Sequence, residues 1–260
     1  MIISMKNVSF VRGKKMILQA IDWQVQAGEN WAILGLNGSG KSSLIKLILA
    51  ENWKTSGELS VLGVEFGKGE IPPLRQQISV VGSFIAERFS GQIHAENLVY
   101  TGKFNSSMLY KPFTDEELDE ARELMQRVGA GDLIGRIYGS LSQGEKQLLL
   151  IARSLILQPK ILILDEATNG LDLFAKEKLL ARLHDISQMP QAPTLIYITH
   201  HPDEITEDFD KLLLLREGKI CAAGEKIELL SESLLTEFYQ QSVQIEKING
   251  KYFVIPKKIT

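Results

Sequence analysis

The spacing of apolar and polar positions changes twice along the chain, and each change predicts a different kind of structure. Over residues 1–34, the stretches MKNVSFV, AIDWQVQ and NWAILG are separated by the turn-like segments RGKK and AGEN. This pattern predicts three short strands, which we expect to form antiparallel sheet. From about residue 85 to residue 157, apolar positions recur at helical spacing. The middle of the chain is therefore predicted to be a helical insert.

One helix of this insert can be placed from its start signal. Thr114, followed three residues later by Glu117, fits a capping box. The apolar residues that would then share one helix face are Leu118, Ala121, Met125 and Val128. The sequence therefore predicts a helix that begins after Thr114 and packs this face inward.

Continuous apolar runs follow the helical region. KILILDEA and TLIYITH are short and rich in branched side chains, which is typical of parallel strands buried on both faces. Near the end of the chain, Asn249 and Gly250 separate two alternating segments in VQIEKINGKYFVIPKK, which predicts a β-hairpin. We expect a mixed α/β fold with a hairpin in a C-terminal extension.

Composition excludes several classes of protein. The 260 residues are 44% hydrophobic and carry a net charge of -3, so no overall field favours nucleic acid, and we expect no nucleic-acid partner. The single cysteine excludes an internal disulfide framework and suits a reducing compartment. The start MIISMKNVSF is too short for a signal-peptide core, and no apolar run is long enough to span a membrane. We therefore expect a cytoplasmic protein.

The segment GLNGSGKS carries the most specific chemistry. It follows the apolar strand WAIL and precedes SLIKLILA, the strand, glycine loop and helix order that a phosphate-binding P-loop requires. Glycines let the backbone N–H groups face phosphates, Lys41 can neutralise the β- and γ-phosphate oxygens, and the Ser42 hydroxyl can ligate Mg²⁺. The residues predicted to bind the nucleotide here are Gly35, Asn37, Gly38, Ser39, Gly40, Lys41, Ser42 and Ser43.

Two adjacent acids end the first of the later apolar runs. Asp165 suits organisation of Mg²⁺, and Glu166 suits polarisation of an attacking water. Alternatively, these acids only cap the helix that follows the strand. Together with the phosphate loop, they predict an ATPase that uses ATP and Mg²⁺.

The pentapeptide LSQGE also has two interpretations. Ser142 and Glu145 fit a capping box that merely starts a helix. Gly144 is a poor helix former at that position unless the backbone must approach a ligand closely, and a helix N-terminus binds anions. One phosphate loop leaves no obvious use for a second phosphate site in the same chain, so a second chain is expected to provide the phosphate.

These motifs together resemble the ATP-binding subunit of ABC transporters. GLNGSGKS, LSQGE, ILILDEA, NGLD and ITH stand in the order of that family, over about residues 3–225. The resemblance implies a P-loop NTPase cassette with a mixed or parallel core sheet, an antiparallel β subdomain and a helical signature subdomain. It places the ATPase domain at residues 1–225, its helical subdomain at about 85–157, and a C-terminal extension at 226–260.

The resemblance also implies roles for residues that spacing alone does not assign. Ser142 and Gly144 would contact the γ-phosphate held by a second cassette in a head-to-tail dimer, and Asp172 in NGLD would link the two sites. His200 in ITH would sense the γ-phosphate, although a histidine at a strand end can also be purely structural. The implied partners are a second copy or paired cassette and an integral membrane permease, with the chain peripheral on the inner face of the cell membrane.

The sequence departs from the family pattern at two positions. Ser83 stands where the family usually has a glutamine that couples the site to the membrane partner. Arg12 stands near the position of an aromatic residue that stacks on adenine; its guanidinium could stack on the base or simply decorate a turn. The missing glutamine keeps a nucleotide-dependent regulatory module open as an alternative function. A soluble non-transport ABC ATPase is a second alternative, although such proteins usually have tandem cassettes or a long coiled-coil insert, which 260 residues do not accommodate.

Aromatic residues are concentrated between positions 84 and 113. They are Phe84, Phe89, Tyr100, Phe104, Tyr110 and Phe113. They could line a groove for a helix of the membrane partner or form the core of the helical subdomain.

Overall fold

The computed structural model describes residues 1–82, 89–104 and 113–257. The chain divides into two compact units, the first comprising Met1–Arg75 with Thr194–Thr260 and the second comprising Gln76–Pro193. The subdomain boundaries given above remain predictions.

The helices and strands follow one another in a mixed α/β order. In chain order they are β1 (Ile3–Arg12), β2 (Lys15–Val25), β3 (Trp31–Gly35), α1 (Lys41–Ile48), β4 (Ser56–Val61), β5 (Val64–Glu65), α2 (Ile71–Gln76), β6 (Ile78–Gly82), α3 (Ala95–Tyr100), α4 (Asp115–Arg127), α5 (Gln143–Leu155), β7 (Ile161–Asp165), α6 (Leu173–Ser187), β8 (Thr194–Thr199), β9 (Lys211–Arg216), β10 (Lys219–Glu225), α7 (Lys226–Leu229), α8 (Glu232–Tyr239), β11 (Val243–Ile248) and β12 (Lys251–Pro256).

The first unit contains an antiparallel sheet in the order β2-β1-β4-β5. Buried and exposed residues alternate over residues 21–25 of β2, as expected for a sheet with one face in water, whereas β1 begins with three consecutive buried residues. The first two predicted strands therefore form antiparallel sheet as expected.

The third predicted strand does not belong to that sheet. β3 lies between β8 and β9 and is parallel to both, so its assignment to antiparallel sheet was wrong. All five residues of β3 are buried, and a strand covered on both faces is the kind that parallel pairing favours. β10 returns antiparallel to β9 at the edge.

The second unit combines a parallel strand pair with helices. β6 and β7 pair in parallel, and the apolar residues of β7 are all buried. α4 begins directly after Thr114, whose side chain and Glu117 form the predicted capping box. The four residues predicted to face inward from this helix are buried.

The C-terminal segment belongs to the first unit. β11 and β12 pair antiparallel around Asn249 and Gly250, both with positive φ, at 50° and 81°, as a two-residue hairpin turn requires. β12 packs against the short 3₁₀ helix Pro202–Glu204. Among the described residues, no helix combines the length and apolar character needed to cross a bilayer.

Candidate functional site

The predicted phosphate loop connects β3 to α1. Gly40 is the N-cap of α1 and has a φ of 108°, and Gly38 has a φ of 79°. L-residues with a side chain rarely adopt such angles. The two glycines therefore let the chain turn sharply from a buried strand into a helix.

Close packing explains the first glycine of the loop. A Cβ added at Gly35 would lie 2.6 Å from Ser39 Oγ and 2.9 Å from the Leu215 carbonyl oxygen. Both distances are far below van der Waals contact, so only glycine fits at this point of the strand end.

Several backbone donors of the loop are available to a ligand. The N–H groups of Gly38, Gly40 and Ser42 donate to no acceptor among the described residues. Unpaired N–H groups in a glycine loop at a helix N-terminus form an anion-binding nest. The loop therefore has the donors that a polyphosphate needs.

Lys41 places its positive charge over this loop. The side chain is only 7% exposed, and its Nζ donates to the carbonyl oxygens of Gly35, at 2.8 Å, and Leu36, at 3.3 Å. The ammonium group is therefore folded back along the loop, at the end of α1 where the helix dipole also favours an anion.

The polar side chains of the loop have different environments. Asn37 and Ser42 are exposed and Ser43 is partly exposed, so the Ser42 hydroxyl is accessible to a ligand. Ser39 is 3% exposed, and its hydroxyl has no hydrogen-bond partner among the described residues. Hydroxyl oxygens are suitable ligands for Mg²⁺, so this donor set fits a nucleotide with its metal ion.

The turn between β9 and β10 packs against the phosphate loop and donates a hydrogen bond to it. The Gly218 N–H, between β9 and β10, donates to the Ser39 carbonyl oxygen at 2.9 Å. Gly218 has a φ of 76°, and a Cβ there would lie 2.2 Å from the Ile17 carbonyl oxygen. Sequence reasoning missed this residue, although EGK between two apolar stretches is a turn signal.

The adjacent acids lie where β7 ends. Asp165 and Glu166 are both partly buried. Glu166 has a φ of 51°, an uncommon left-handed conformation for a residue with a side chain. Its carboxylate accepts a hydrogen bond from Asn169 Nδ2 at 2.6 Å, which orients the acid at the strand end.

The alternative that these acids cap the next helix is wrong. α6 begins at Leu173, and its N-cap is Asp172, whose Oδ1 accepts from the Ala175 N–H at 2.9 Å. Glu166 lies six positions before the cap. The structure thus gives Asp172 a structural task that the sequence did not predict.

The capping box in LSQGE is present. Ser142 Oγ accepts from the Glu145 N–H, and the Glu145 carboxylate accepts from the Ser142 N–H at 2.7 Å and from Arg136 Nη1 at 2.5 Å. Burial raises the pKa of Glu145, but these hydrogen bonds outweigh burial, and the net pKa is lowered. Ser142 itself is exposed at the start of α5, so the cap leaves its side chain at the surface.

Three of the predicted residues of the second unit line one cavity. A cavity of about 660 Å³ has Ser142, Gly144 and Asp172 in its wall, together with Lys178 and Arg182. A Cβ added at Gly144 would lie 3.1 Å from Ala175 Cβ. The N-terminal ends of α5 and α6 therefore open onto the same space.

His200 follows the last residue of β8. It is partly buried, whereas its neighbour His201 is exposed, and their rings lie 4.0 Å apart. Both histidines and Leu36 of the phosphate loop line a cavity of about 470 Å³, together with Phe253 of β12. Within the first unit, the structure therefore places His200 beside the phosphate loop.

Two further predicted positions are Arg12, which lies at the surface, and Ser83. Arg12 is exposed at the end of β1, opposite Lys15 across the turn Gly13–Lys14. Ser83 lies outside the described residues, as do Phe84 and Tyr110.

The remaining aromatic residues divide between core and surface. Phe89 is buried and contacts Tyr138 edge to face. Tyr100, Phe104 and Phe113 form a separate cluster in which Phe104 is 57% exposed. Phe89 therefore belongs to the core, whereas a groove for a partner helix remains a prediction.

Comparison with known proteins identifies the family of this chain. The model of the ABC transporter family matches residues 18–169. The chain is 69% identical over 255 residues to the uncharacterized ABC transporter ATP-binding protein YmeB of Lactococcus lactis, covering 98% of each protein. It is 53% identical to a Streptococcus mutans ABC transporter ATP-binding protein, covering 99% of each.

A solved structure has the same architecture. cbiO1 from Clostridium perfringens, described as part of the ABC transporter complex cbiONQ, is 25% identical with a TM-score of 0.78, over 91% of this chain and 93% of that one. A family match over more than half of the chain and relatives of this identity allow one conclusion. The chain belongs to the ABC transporter family as an ATP-binding subunit.

Proposed function

We propose that this subunit hydrolyses Mg-ATP and thereby energises a separate, membrane-embedded permease. The family is an ATPase family, and the observation that carries the proposal is the phosphate loop. The loop N–H groups that have no acceptor in the described part of the chain lie together with the Lys41 ammonium at the N-terminus of α1. This arrangement supports binding of a polyphosphate with its negative charge compensated.

Binding is assigned to the loop and its neighbours. The loop residues Gly35 to Ser43 hold the phosphates, and Arg12 stacks on the adenine. Ser42 and Asp165 supply oxygen ligands for Mg²⁺, both of the hard type that this ion prefers. When bound, Mg²⁺ neutralises charge that develops on the phosphate oxygens.

Hydrolysis is assigned to Glu166 and His200. Glu166 orients a water for in-line attack on the γ-phosphorus; the new bond joins the water oxygen to phosphorus, and the bond to the β–γ bridging oxygen breaks. The hydrogen bond from Asn169 that holds the Glu166 carboxylate supports this role. His200 senses the γ-phosphate, in keeping with the cavity it shares with Leu36.

The second phosphate site is proposed to complete the site of another copy. In a head-to-tail dimer, Ser142 and Gly144 of one subunit contact the γ-phosphate bound by the other, and Asp172 links the two sites. The exposure of Ser142 at the N-terminus of α5, in the cavity that Gly144 and Asp172 also line, supports this role.

The partner is proposed to be an integral membrane protein, with this subunit peripheral on the cytoplasmic face. Names of the relatives and the description of cbiO1 as part of a transporter complex support this proposal. In the cluster of Tyr100, Phe104 and Phe113, the exposed ring of Phe104 offers aromatic surface of the kind enriched at protein interfaces.

The test combines binding, turnover and purification. Lys41→Ala should abolish ATP binding measured by calorimetry, whereas Lys46→Ala, an exposed lysine of the same helix, should bind normally. Glu166→Gln should bind ATP but not turn it over. Parental affinity in Lys41→Ala would refute the phosphate loop, and parental turnover in Glu166→Gln would refute the role of that acid.

Purification from membranes of the source cells tests the transporter assignment. The tagged subunit should co-purify with an integral membrane protein. ATP turnover without any such partner would instead favour a soluble ABC ATPase, and ATP binding without turnover would favour a regulatory module.

A further inference from the structure

We propose that Glu204 is a positioning residue for His200. This inference rests on the proposed role of His200 in sensing the γ-phosphate and adds the group that holds the histidine in place. Glu204 ends the 3₁₀ helix Pro202–Glu204, four residues after His200. It is 2% exposed, so its carboxylate faces the interior of the first unit and not the cavity.

The carboxylate gathers hydrogen bonds from the end of β8. Glu204 Oε2 accepts from the Tyr197 hydroxyl at 3.1 Å and from Thr199 Oγ1 at 2.5 Å. Both donor residues are fully or almost fully buried. Hydrogen bonds in such a dry environment are electrostatically stronger than the same bonds in water.

The same network reaches the residue on the other side of His200. Thr199 Oγ1 accepts from the His201 N–H at 2.9 Å, and the Glu204 N–H donates to the His201 carbonyl oxygen at 3.2 Å. Glu204 therefore holds both chain neighbours of His200, one through its side chain and the other through its backbone. The backbone of His200 is fixed from both sides, while its ring remains at the cavity.

Loss of the Glu204 carboxylate should disturb the position of His200. Removing the carboxylate takes the acceptor from the buried Thr199 hydroxyl, and a buried donor without an acceptor drives local rearrangement. The rearrangement would begin at the residue before His200. Because small displacements of a positioned group cost much activity, loss of Glu204 should resemble loss of His200 itself.

The experiment uses two loss variants and one conservative variant of the full chain. Glu204→Leu removes the acceptor with a similar volume, and Thr199→Val removes the hydroxyl while keeping the shape. Glu204→Gln keeps one acceptor oxygen and should retain part of the activity that Glu204→Leu loses. Glu228→Gln serves as the control, because Glu228 is an exposed acid in α7 whose side chain has no hydrogen bond to any described residue.

Turnover and nucleotide discrimination are measured together. We expect Glu204→Leu and Thr199→Val to lower kcat about tenfold to a hundredfold, with a smaller effect on KM. The preference for ATP over ADP, from calorimetry, should fall in parallel, as it should in His200→Ala. In a His200→Ala background, Glu204→Leu should have little further effect, since the two residues act as one unit.

A spectroscopic readout tests positioning without nucleotide. The ring resonances of His200 should shift or broaden in Glu204→Leu and Thr199→Val and stay unchanged in Glu228→Gln. Unchanged His200 resonances in both loss variants would overturn the inference, as would an undiminished effect of Glu204→Leu in the His200→Ala background. Parental turnover in His200→Ala would instead refute the proposed role of His200, and the resonances would still decide whether Glu204 positions it.

Discussion

Gly218 shows how a residue outside any recognised motif can determine the shape of the phosphate loop. Its N–H donates to Ser39, and its missing side chain lets the β9–β10 turn lie against the carbonyl of Ile17. The loop is thus supported by a turn that is close in space and far away in sequence.

Gly218→Ala should therefore destabilise the protein and weaken ATP binding. The new Cβ would lie 2.2 Å from the Ile17 carbonyl oxygen, and a backbone clash of this kind costs about 2 kcal/mol or more. Gly28→Ala is the matched control, because Gly28 also has a positive φ, of 82°, but open space around its Cβ position. Gly28→Ala should lower the free energy of unfolding only by the cost of placing a side chain in the left-handed backbone conformation, about 1 kcal/mol.

Urea unfolding of both variants gives the comparison, followed by ATP calorimetry on the folded proteins. If Gly218→Ala unfolds at the same urea concentration as Gly28→Ala, the close approach does not constrain the turn. If it is destabilised yet binds ATP normally, the turn does not support the loop.

A site residue can be predicted from the sequence when the residues it acts with lie close to it along the chain. The phosphate loop could be read from the sequence because its donors, glycines and lysine are contiguous, and its chemistry depends on their order. Glu204 and Gly218 could not, because their tasks depend on neighbours that only the folded chain supplies. In the sequence, Glu204 is one of many acids; only its burial against Tyr197 and Thr199 distinguishes it.

Helix starts were the most predictable elements. Thr114 and Ser142 each form the capping box that their sequences predict, because the partners lie three residues apart. Strand pairing was less predictable. β3 was wrongly placed among antiparallel strands, since its parallel partners β8 and β9 lie more than 150 residues away along the chain.

Substitutions of Asp172 can separate its role as the N-cap of α6 from its proposed role in linking the two sites of a dimer. Asp172→Ala removes the cap of α6 and should cost about 1 kcal/mol of stability. Asp172→Asn keeps a capping oxygen and should be nearly as stable as the parent, while losing the negative charge. If the two sites of a dimer communicate through this carboxylate, Asp172→Asn should lower turnover without lowering stability.

Thermal unfolding and ATP turnover of the two variants decide between these roles. Parental turnover in Asp172→Asn, together with reduced stability in Asp172→Ala, would leave Asp172 with the cap alone. Equal destabilisation of both variants would contradict the capping geometry in the structure.

At the scale of the whole molecule, the question is whether the phosphate loop and the proposed phosphate contact of Ser142 act within one chain or between two. Lys41 and Ser142 belong to different compact units. In a head-to-tail dimer, each complete site takes its phosphate loop from one copy and its Ser142 from the other. A closed two-fold pair then contains two such sites, as isologous symmetry requires.

Mixing two inactive variants distinguishes the arrangements. Lys41→Ala spoils the phosphate loop, and Ser142→Arg places a bulky side chain in the second phosphate site. In a mixed head-to-tail pair both defects fall on one site, because the defective loop of one chain meets the defective Ser142 position of the other. The remaining site receives an intact loop and an intact serine, so mixing should restore turnover to at most about a quarter of the parental rate if pairing is random.

The recovered turnover should rise with the product of the two variant concentrations, because an encounter between chains creates each working site. Each variant mixed with itself should stay inactive at every concentration. If Ser142 acted only within its own chain, neither copy in a mixture would hold both intact features, and no activity would return. Recovery of turnover therefore requires the exchange of Ser142 between chains, which the capping box alone does not explain.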